Sequence, residues 1–495
     1  MSELKKGAIL SYINILLTSA IGLGITPFII KSLGDSEYGL YILIGSFIAY
    51  LSLMDLGLNN TIVRFVSKYR AEKDLEGERK FLGTTMLIYL AISVVLVIIG
   101  MIIYFKLNNI FSQSLSPAQL DDAKVMFLIL VFNLAIMLPG GAFTAICNAY
   151  ESFVFPRSVA IIRYLLRALT VIAVLNLGGK AISIVIIDTF FNIIVILITI
   201  YFTLTKLEIQ FSFKEREWKI VKQIFSYSVW IFMFGIISQF QWNIGQVILG
   251  IKVNTIEVAV YAVGILLGSY YGAFSSAISG LFLPRASKMV LQNTNIELTD
   301  MMIKIGRISL VPLMLILLGF ILFGKEFVYL WVGKRYENAW LIALLIMIGY
   351  TIPLLQSFSN SVVEAKNMVG YKVKVYGISL TLGIVLGYIL IPNYGGIGMI
   401  IGIFIGWIMA QFIMNLFYSS HLKLNISRFF NEITMTFILP ICICLFIGII
   451  INQIQGQGWL NLILKCFLFS ASYGLFIWIL GLNKFERQLI IRKSQ

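Results

Sequence analysis

The chain has 495 residues, of which 59 % are hydrophobic and only 12 % charged. A soluble domain carries about twice that charge, and no soluble fold of this length buries so much apolar surface. With a mean hydropathy of +0.93, the composition excludes a soluble protein, a disordered chain and a secreted disulfide scaffold, and leaves a polytopic all-α membrane protein. The net charge of +15 then reads first as loop charge that sets topology, not as nucleic-acid binding.

A membrane span needs roughly 20 apolar residues. About fourteen stretches qualify, near 7–30, 38–59, 81–105, 122–147, 158–177, 181–203, 223–250, 258–282, 305–324, 338–362, 373–391, 397–418, 433–452 and 460–481. The runs are continuous, so they are expected as helices and not as the alternating strands of a barrel. The first run follows Lys5 and Lys6 but is too long for a signal-peptide core and has no small-residue cleavage site.

Basic residues crowd alternate connections. Arg64, Lys68, Arg70, Lys73, Arg79 and Lys80 fill the second, and Lys206, Lys214, Arg216, Lys219 and Lys222 the sixth. Arg285, Lys288 and Lys304 sit in the eighth, and Lys484, Arg487, Arg492 and Lys493 end the chain. Roughly 26 basic residues fall on this side and about 8 on the other, which makes both termini cytoplasmic. No loop exceeds roughly 20 residues and no Walker A pattern occurs, so ATP binding of the P-loop type is excluded. The four Cys lie in apolar runs, with Cys442 and Cys444 on different faces of one helix. His421 is the only histidine, which argues against a His-based metal site or proton relay.

An internal repeat is expected at an offset of roughly 215–225 residues. The Ser11-Tyr12, Tyr38-Gly39, Arg64 series returns as Ser226-Tyr227, Tyr261 with Gly264, Arg285. Six spans per copy make the repeat parallel, about an axis along the membrane normal. The expected organisation is a six-helix lobe at 1–203, a cytoplasmic linker at 204–222, a second six-helix lobe at 223–418, and helices 13–14 with a basic tail at 419–495. Two lobes around a midplane site suit an alternating-access transporter.

The stretch from Lys31 to Leu40, with its LG-x-x-x-YG pattern, is followed by Met54-Asp-Leu-Gly-Leu58 and Arg64. This resembles the N-terminal signature of polysaccharide-biosynthesis membrane proteins, the Wzx-type oligosaccharide flippases of the multidrug/oligosaccharidyl-lipid/polysaccharide exporter superfamily. The resemblance extends over the whole chain in length, span count and two-lobe layout. It implies a MATE-like fold in a bacterial plasma membrane. It also implies export of an undecaprenyl-diphosphate-linked oligosaccharide from the inner to the outer leaflet, for O-antigen, capsule or exopolysaccharide. Partners in that case are the lipid-linked glycan, membrane lipids, and a polymerase and glycosyltransferases, with no nucleic acid.

Charges inside spans are costly and need a partner or a wet cavity. Arg163 and Arg167 share one face of span 5, and a pair of guanidiniums suits a diphosphate. The plainer reading is that Arg163 snorkels and Arg167 makes a structural salt bridge. Asp188 in span 6 lies close in depth to Arg167 and is the expected ion-pair partner, or a proton-coupling group. Asp55, near the cytoplasmic end of span 2, either caps a neighbouring element or joins Arg64 in a cytoplasmic gate. Glu151 and Glu364 sit at corresponding cytoplasmic ends, with Arg285 as a basic counterpart. Lys465 in span 14 is expected to snorkel outward.

Span 7 carries a stripe of Gln239, Asn243 and Gln246 bordered by Trp242, span 1 carries Asn14, and span 8 adds Tyr270, Tyr271, Ser275 and Ser276. Amides, hydroxyls and aromatic faces suit an oligosaccharide path; the same residues serve interhelical hydrogen bonds. No cofactor or metal is expected, and the driving force is open among an H+ or Na+ gradient, the membrane potential, and substrate supply. A peptidoglycan- or teichoic-acid-precursor flippase stays close, since its substrate is also a polyprenyl diphosphate. A multidrug or cation antiporter would call for an acidic site, and an enzyme would need catalytic groups on larger loops.

Overall fold

The computed structural model describes residues 3–213, 218–279, 289, 294–366 and 368–491, with side chains described except at 3–9, 12, 218–231, 274–279, 485 and 489–491. Helices account for nearly all of it, and no strand occurs among the described residues. In chain order they are α1 (Glu3–Leu33), α2 (Asp35–Leu51), α3 (Leu58–Glu72), α4 (Leu75–Phe111), α5 (Pro117–Ala149), α6 (Val154–Asn176), α7 (Ala181–Thr205), α8 (Trp218–Lys252) and α9 (Thr255–Ser279). There follow α10 (Asn295–Val332), α11 (Glu337–Leu355), α12 (Ser357–Ala365), α13 (Val369–Ser420), α14 (Ile426–Asn452), α15 (Trp459–Phe476) and α16 (Lys484–Ile491). Among the described residues, twelve helical segments are long and apolar enough to cross a membrane. One of these, α13, is two arms folded at Gly395, whose φ of 53° and ψ of −133° no helix contains. With the 35-residue α8, the chain is a polytopic helical membrane protein of the expected kind.

The chain divides into two compact units, Met1–Ala259 and Val260–Gln495. In the first, α5 is central and packs against α2, α3, α4 and α7, while α1 pairs with α6. Helix α8 lies along α2: Phe240 meets Tyr50 edge-on at 5.3 Å, and Leu43 fills the space over Gly250. In the second unit, α10 is central and packs against α11, α12, α14 and α15. The two arms of α13 close on each other through Gly383, Gly387, Gly402 and Gly406, where backbones touch, a small-residue interface that lipid-embedded helices favour. The Gly-Gly pairs, which in sequence suit turns or close packing, serve as both: Gly395-Gly396 is a fold-back, Gly178-Gly179 a turn, and Gly140-Gly141 packs inside α5 against Ile196 and Asn59.

One cluster fixes the end of the first unit that the loop charges assign to the outside. The Gln119 amide, which also caps α5, donates to Ser36 Oγ at 2.7 Å, and Ser36 Oγ lies 3.0 Å from Thr255 Oγ1. Glu37 accepts from the first backbone N–H of α7, Ala181, at 2.7 Å. Gly39 lets the Thr255 carbonyl approach so closely that a Cβ there would stand 1.7 Å from its oxygen. The start of α2 thus holds the starts of α5, α7 and α9 together.

Two charges depart from the expected picture. Lys465 does not snorkel; it is buried in α15 and donates to Glu326 of α10 at 3.0 Å. Arg307 of α10 is buried against Glu486 of the tail helix α16, with contacts of 2.6 and 2.9 Å. It also donates to the Gly481 carbonyl and to Thr436, so the tail folds back onto the second unit. The two glycines of α2 give a test. Gly45→Ala meets open space and should hold or raise stability by up to about 1 kcal/mol, whereas Gly39→Ala should lower it by about 1–3 kcal/mol. Thermal unfolding of the purified protein in detergent reads the difference; equal behaviour of the two variants would refute the close approach.

Candidate functional site

Helix α6 carries Arg163 and Arg167 one turn apart, and α7 runs back beside it after a short turn at Gly178-Gly179. Arg167 lies about nine residues before the end of α6 and Asp188 about seven after the start of α7, which is roughly 14 and 10 Å by helix rise. The two side chains form a bidentate pair: Arg167 Nε donates to Asp188 Oδ1, and Nη2 donates to Oδ2 at 3.0 Å. Tyr41 of α2 completes the group, donating to Asp188 Oδ2 at 3.3 Å and accepting from Arg167 Nη2 at 3.5 Å. The pair is about 20 % exposed and its charges cancel. Tyr41 escapes a sequence reading because it interrupts no pattern in its aliphatic run.

Arg163 is different. Its Nε is buried without a hydrogen-bond partner, no ion pair to it occurs among the described residues, and its guanidinium carbon lies 5.7 Å from the Tyr164 ring. Helix α1 packs along α6, and Arg157 Nε donates to Ser11 Oγ. The α2 and α7 starts meet through Glu37 and Ala181, so α1 and α6 run parallel. That register puts Asn14 and Arg163 about one helical turn apart in depth. Asn14 Oδ1 is buried and unpartnered as well. An acceptor without a donor and a donor without an acceptor therefore occur on adjacent helices. Such groups are rare in native proteins, and each calls for an explanation.

In the first unit, Asn243 donates to Gln239 at 2.5 Å, and the buried Gln246 amide lies beside the carbonyls of Trp242 and Asn243. Much of the polar stripe of α8 is thus spent within its own helix. In the second unit, Tyr271 is 1 % exposed and shares a 2.7 Å hydrogen bond with Thr351, which makes it a packing residue there. Tyr270 is half-buried, and the side chains of Ser275 and Ser276 lie outside the described residues.

Asp55 bonds to Asn59 and Tyr89, and Arg64 is exposed on α3. Glu151 is exposed just past α5 with φ of 58°, and Glu364 is exposed near Lys372. Arg285 lies outside the described residues. The described network at this end of the first unit runs through other residues. Arg70 stacks 3.8 Å over the Tyr150 ring and donates to the Ala149 carbonyl, and Tyr150 donates to Glu78 at 2.6 Å. Burial and then Glu78 push the Tyr150 phenol up. A cavity of about 590 Å³ occurs in the second unit, lined by Asp300, Arg307, Glu432 and Glu486; Arg163 and Arg167 do not line it.

With this geometry in place, known proteins give a context. A family model described as polysaccharide biosynthesis protein matches residues 4–290, more than half of the chain. A Shigella flexneri protein named "Putative O-antigen transporter" is 21 % identical over 388 residues, covering 75 % of this chain and 87 % of its own length. The lipid II flippase MurJ, in an inward closed conformation, matches with a TM-score of 0.68 at 18 % identity, covering 98 % of this chain and 99 % of that one. An inward-facing multidrug resistance MATE family transporter of the MOP superfamily matches with a TM-score of 0.60 at 14 % identity, covering 83 % of this chain and 97 % of that one. At these identities the structural likeness is one of fold, and the proteins named are transporters and flippases.

A double-mutant cycle tests the Arg167–Asp188 pair. Arg167→Ala and Asp188→Ala should each cost about 2–3 kcal/mol, less than a fully buried pair loses, and the double variant should cost clearly less than their sum. Thermal unfolding measures all four proteins; strictly additive losses would show that the pair contributes nothing.

Proposed function

The chain belongs to the polysaccharide biosynthesis protein family, and from that premise we propose that it moves a polyprenyl-diphosphate-linked oligosaccharide between the leaflets of a bacterial plasma membrane by alternating access. Both termini are cytoplasmic in this reading, as the loop charges require. The flippase fold supports the reading, and so does the O-antigen transporter relative.

The observation that carries it is the unequal state of the two arginines in α6. Arg167 is engaged through Nε and Nη2 by Asp188 and Tyr41, so a ligand there competes with a carboxylate. Arg163 keeps a buried Nε with no partner. A phosphate oxygen supplies the missing acceptor, and the interaction is charge-assisted. Asn14 Oδ1, unpartnered at a neighbouring depth, accepts from a sugar hydroxyl next to the phosphate. In this assignment Arg163 contacts the diphosphate and Arg167 positions α6 against α7 and α2. The charge of α6 that has no ion pair among the described residues is positive, which suits an anionic headgroup.

Reconstitution tests this. The full chain in liposomes carrying a fluorescent undecaprenyl-diphosphate oligosaccharide should move the label to the opposite leaflet. Arg163→Ala should slow that movement at least about tenfold, the loss of one charged hydrogen bond, with unfolding temperature unchanged. Movement of cationic dyes without movement of the lipid would overturn the flippase reading. Normal lipid movement by Arg163→Ala would remove Arg163 from it.

A further inference from the structure

Asp55 sits where the second membrane helix breaks. Helix α2 ends at Leu51, Ser52–Asp55 form a 3-10 turn, and α3 starts only at Leu58. Leu56 and Gly57 between them have φ of 52° and 74°, a left-handed pair that only a glycine adopts at low cost. Irregular backbone at membrane depth persists where protein covers it or where it lines a wet cavity, and in transporters such breaks bind ions. Here a carboxylate stands at the break.

Its surroundings are polar but uncharged. Asp55 Oδ1 accepts from Asn59 Nδ2 at 2.9 Å and from the hydroxyl of Tyr89 at 3.1 Å. Tyr89, on α4, is fully buried. From α5, Gly141 backs the Asn59 amide, and from α8, Gly235 meets Leu53. The titratable group that α2 contributes nearby is Tyr50, whose hydroxyl is buried and unpartnered. Among the described residues Asp55 has no ion pair; the backbone N–H groups of Gly57 and Asn59 also donate to it.

The Asn59 amide is half used. Its Nδ2 serves Asp55, while its Oδ1 is buried with no donor. That arrangement has a natural second state. A proton on Asp55 creates an O–H that needs an acceptor, and the same amide, turned over, presents Oδ1 to it. Tyr89 donates to another lone pair of the same Oδ1, so it can stay in place while the Asn59 amide turns. We propose that Asp55 is a proton-binding carboxylate at the break of the second membrane helix, with Asn59 as its reversible partner and Tyr89 as the donor that positions it. Only an O–H bond forms or breaks; the proton comes from water and returns to it. Binding the proton neutralises the one unpaired carboxylate at the break and so favours a more deeply buried position of it. The link from this protonation to lipid movement rests on the flippase reading; the proton site does not.

Infrared difference spectroscopy of the full chain in lipid, titrated from acid to alkaline pH, reads the site directly. The chain has 23 Asp and Glu residues, so the difference between wild type and Asp55→Asn isolates the site: it should show one carboxylic-acid carbonyl band exchanged for a carboxylate band in a single step. Asp55→Asn should lose that step. Tyr89→Phe removes a donor to the ionised form, so the midpoint should move to higher pH while the band persists. An unchanged titration in Asp55→Asn, or an unmoved midpoint in Tyr89→Phe, would overturn the proposal. Proton uptake without lipid movement by the wild type would leave the site standing and overturn the flippase reading alone.

Discussion

Hydrocarbon offers no hydrogen bonds, so a chain that crosses it must satisfy each backbone N–H and C=O within its own helix. That requirement makes most of the molecule monotonous and makes every departure informative. Among the described residues the departures include the break at Ser52–Gly57, the division between α11 and α12 at Gln356, the fold-back at Gly395 and the π-helical turn at Ile477–Gly481. The same rule governs side-chain charge. Lys465 finds Glu326, Arg307 finds Glu486, and Arg167 finds Asp188. In each case protein oxygens replace the water shell, and in two of the three a further hydroxyl or carbonyl completes the set.

A paired charge and an unpaired one meet a ligand differently. The Arg167 guanidinium is held in plane by a bidentate carboxylate, so a ligand that took it would first have to break that pair. Its geometry serves to fix α6 against α7 and α2. An arginine with a buried, unused N–H has already been desolvated, and an anion arriving there meets a donor whose dehydration is complete. Position along one helix face is therefore a poor guide to role. Residues one turn apart differ because only one of them has a carboxylate on the next helix at its own depth.

Much of the fold is legible in the sequence because spans are long and apolar, and length alone separates them from everything else. The stretches expected near 122–147, 181–203 and 433–452 fall inside α5, α7 and α14. The Arg167–Asp188 proximity is legible too, since a short turn fixes the relative depth of adjacent spans. Tyr41 is not, because its partnership depends on which face of α2 meets α7. Nor is Glu486: in sequence it is one acid in a basic tail, and only tertiary folding returns it to Arg307. The family-like stretches become physical once the backbone is seen. Gly39 admits a carbonyl, Gly57 turns the chain left-handed, and Asp55 faces the break that Gly57 makes.

The knot at Ser36 also has a history in time. Its contact to Thr255 joins residues 219 apart in the chain, and its contact to Gln119 joins residues 83 apart. At a synthesis rate of about 5–20 residues per second, Ser36 waits roughly 4–17 s for Gln119 and roughly 11–44 s for Thr255. A nascent chain can thus close the first part of this end while three or four spans are in the bilayer, but the groove over Gly39 stays open until the seventh has been made. The first unit is consequently finished by a helix start that leaves the ribosome last, and a chain halted before residue 255 lacks the carbonyl that packs on Gly39.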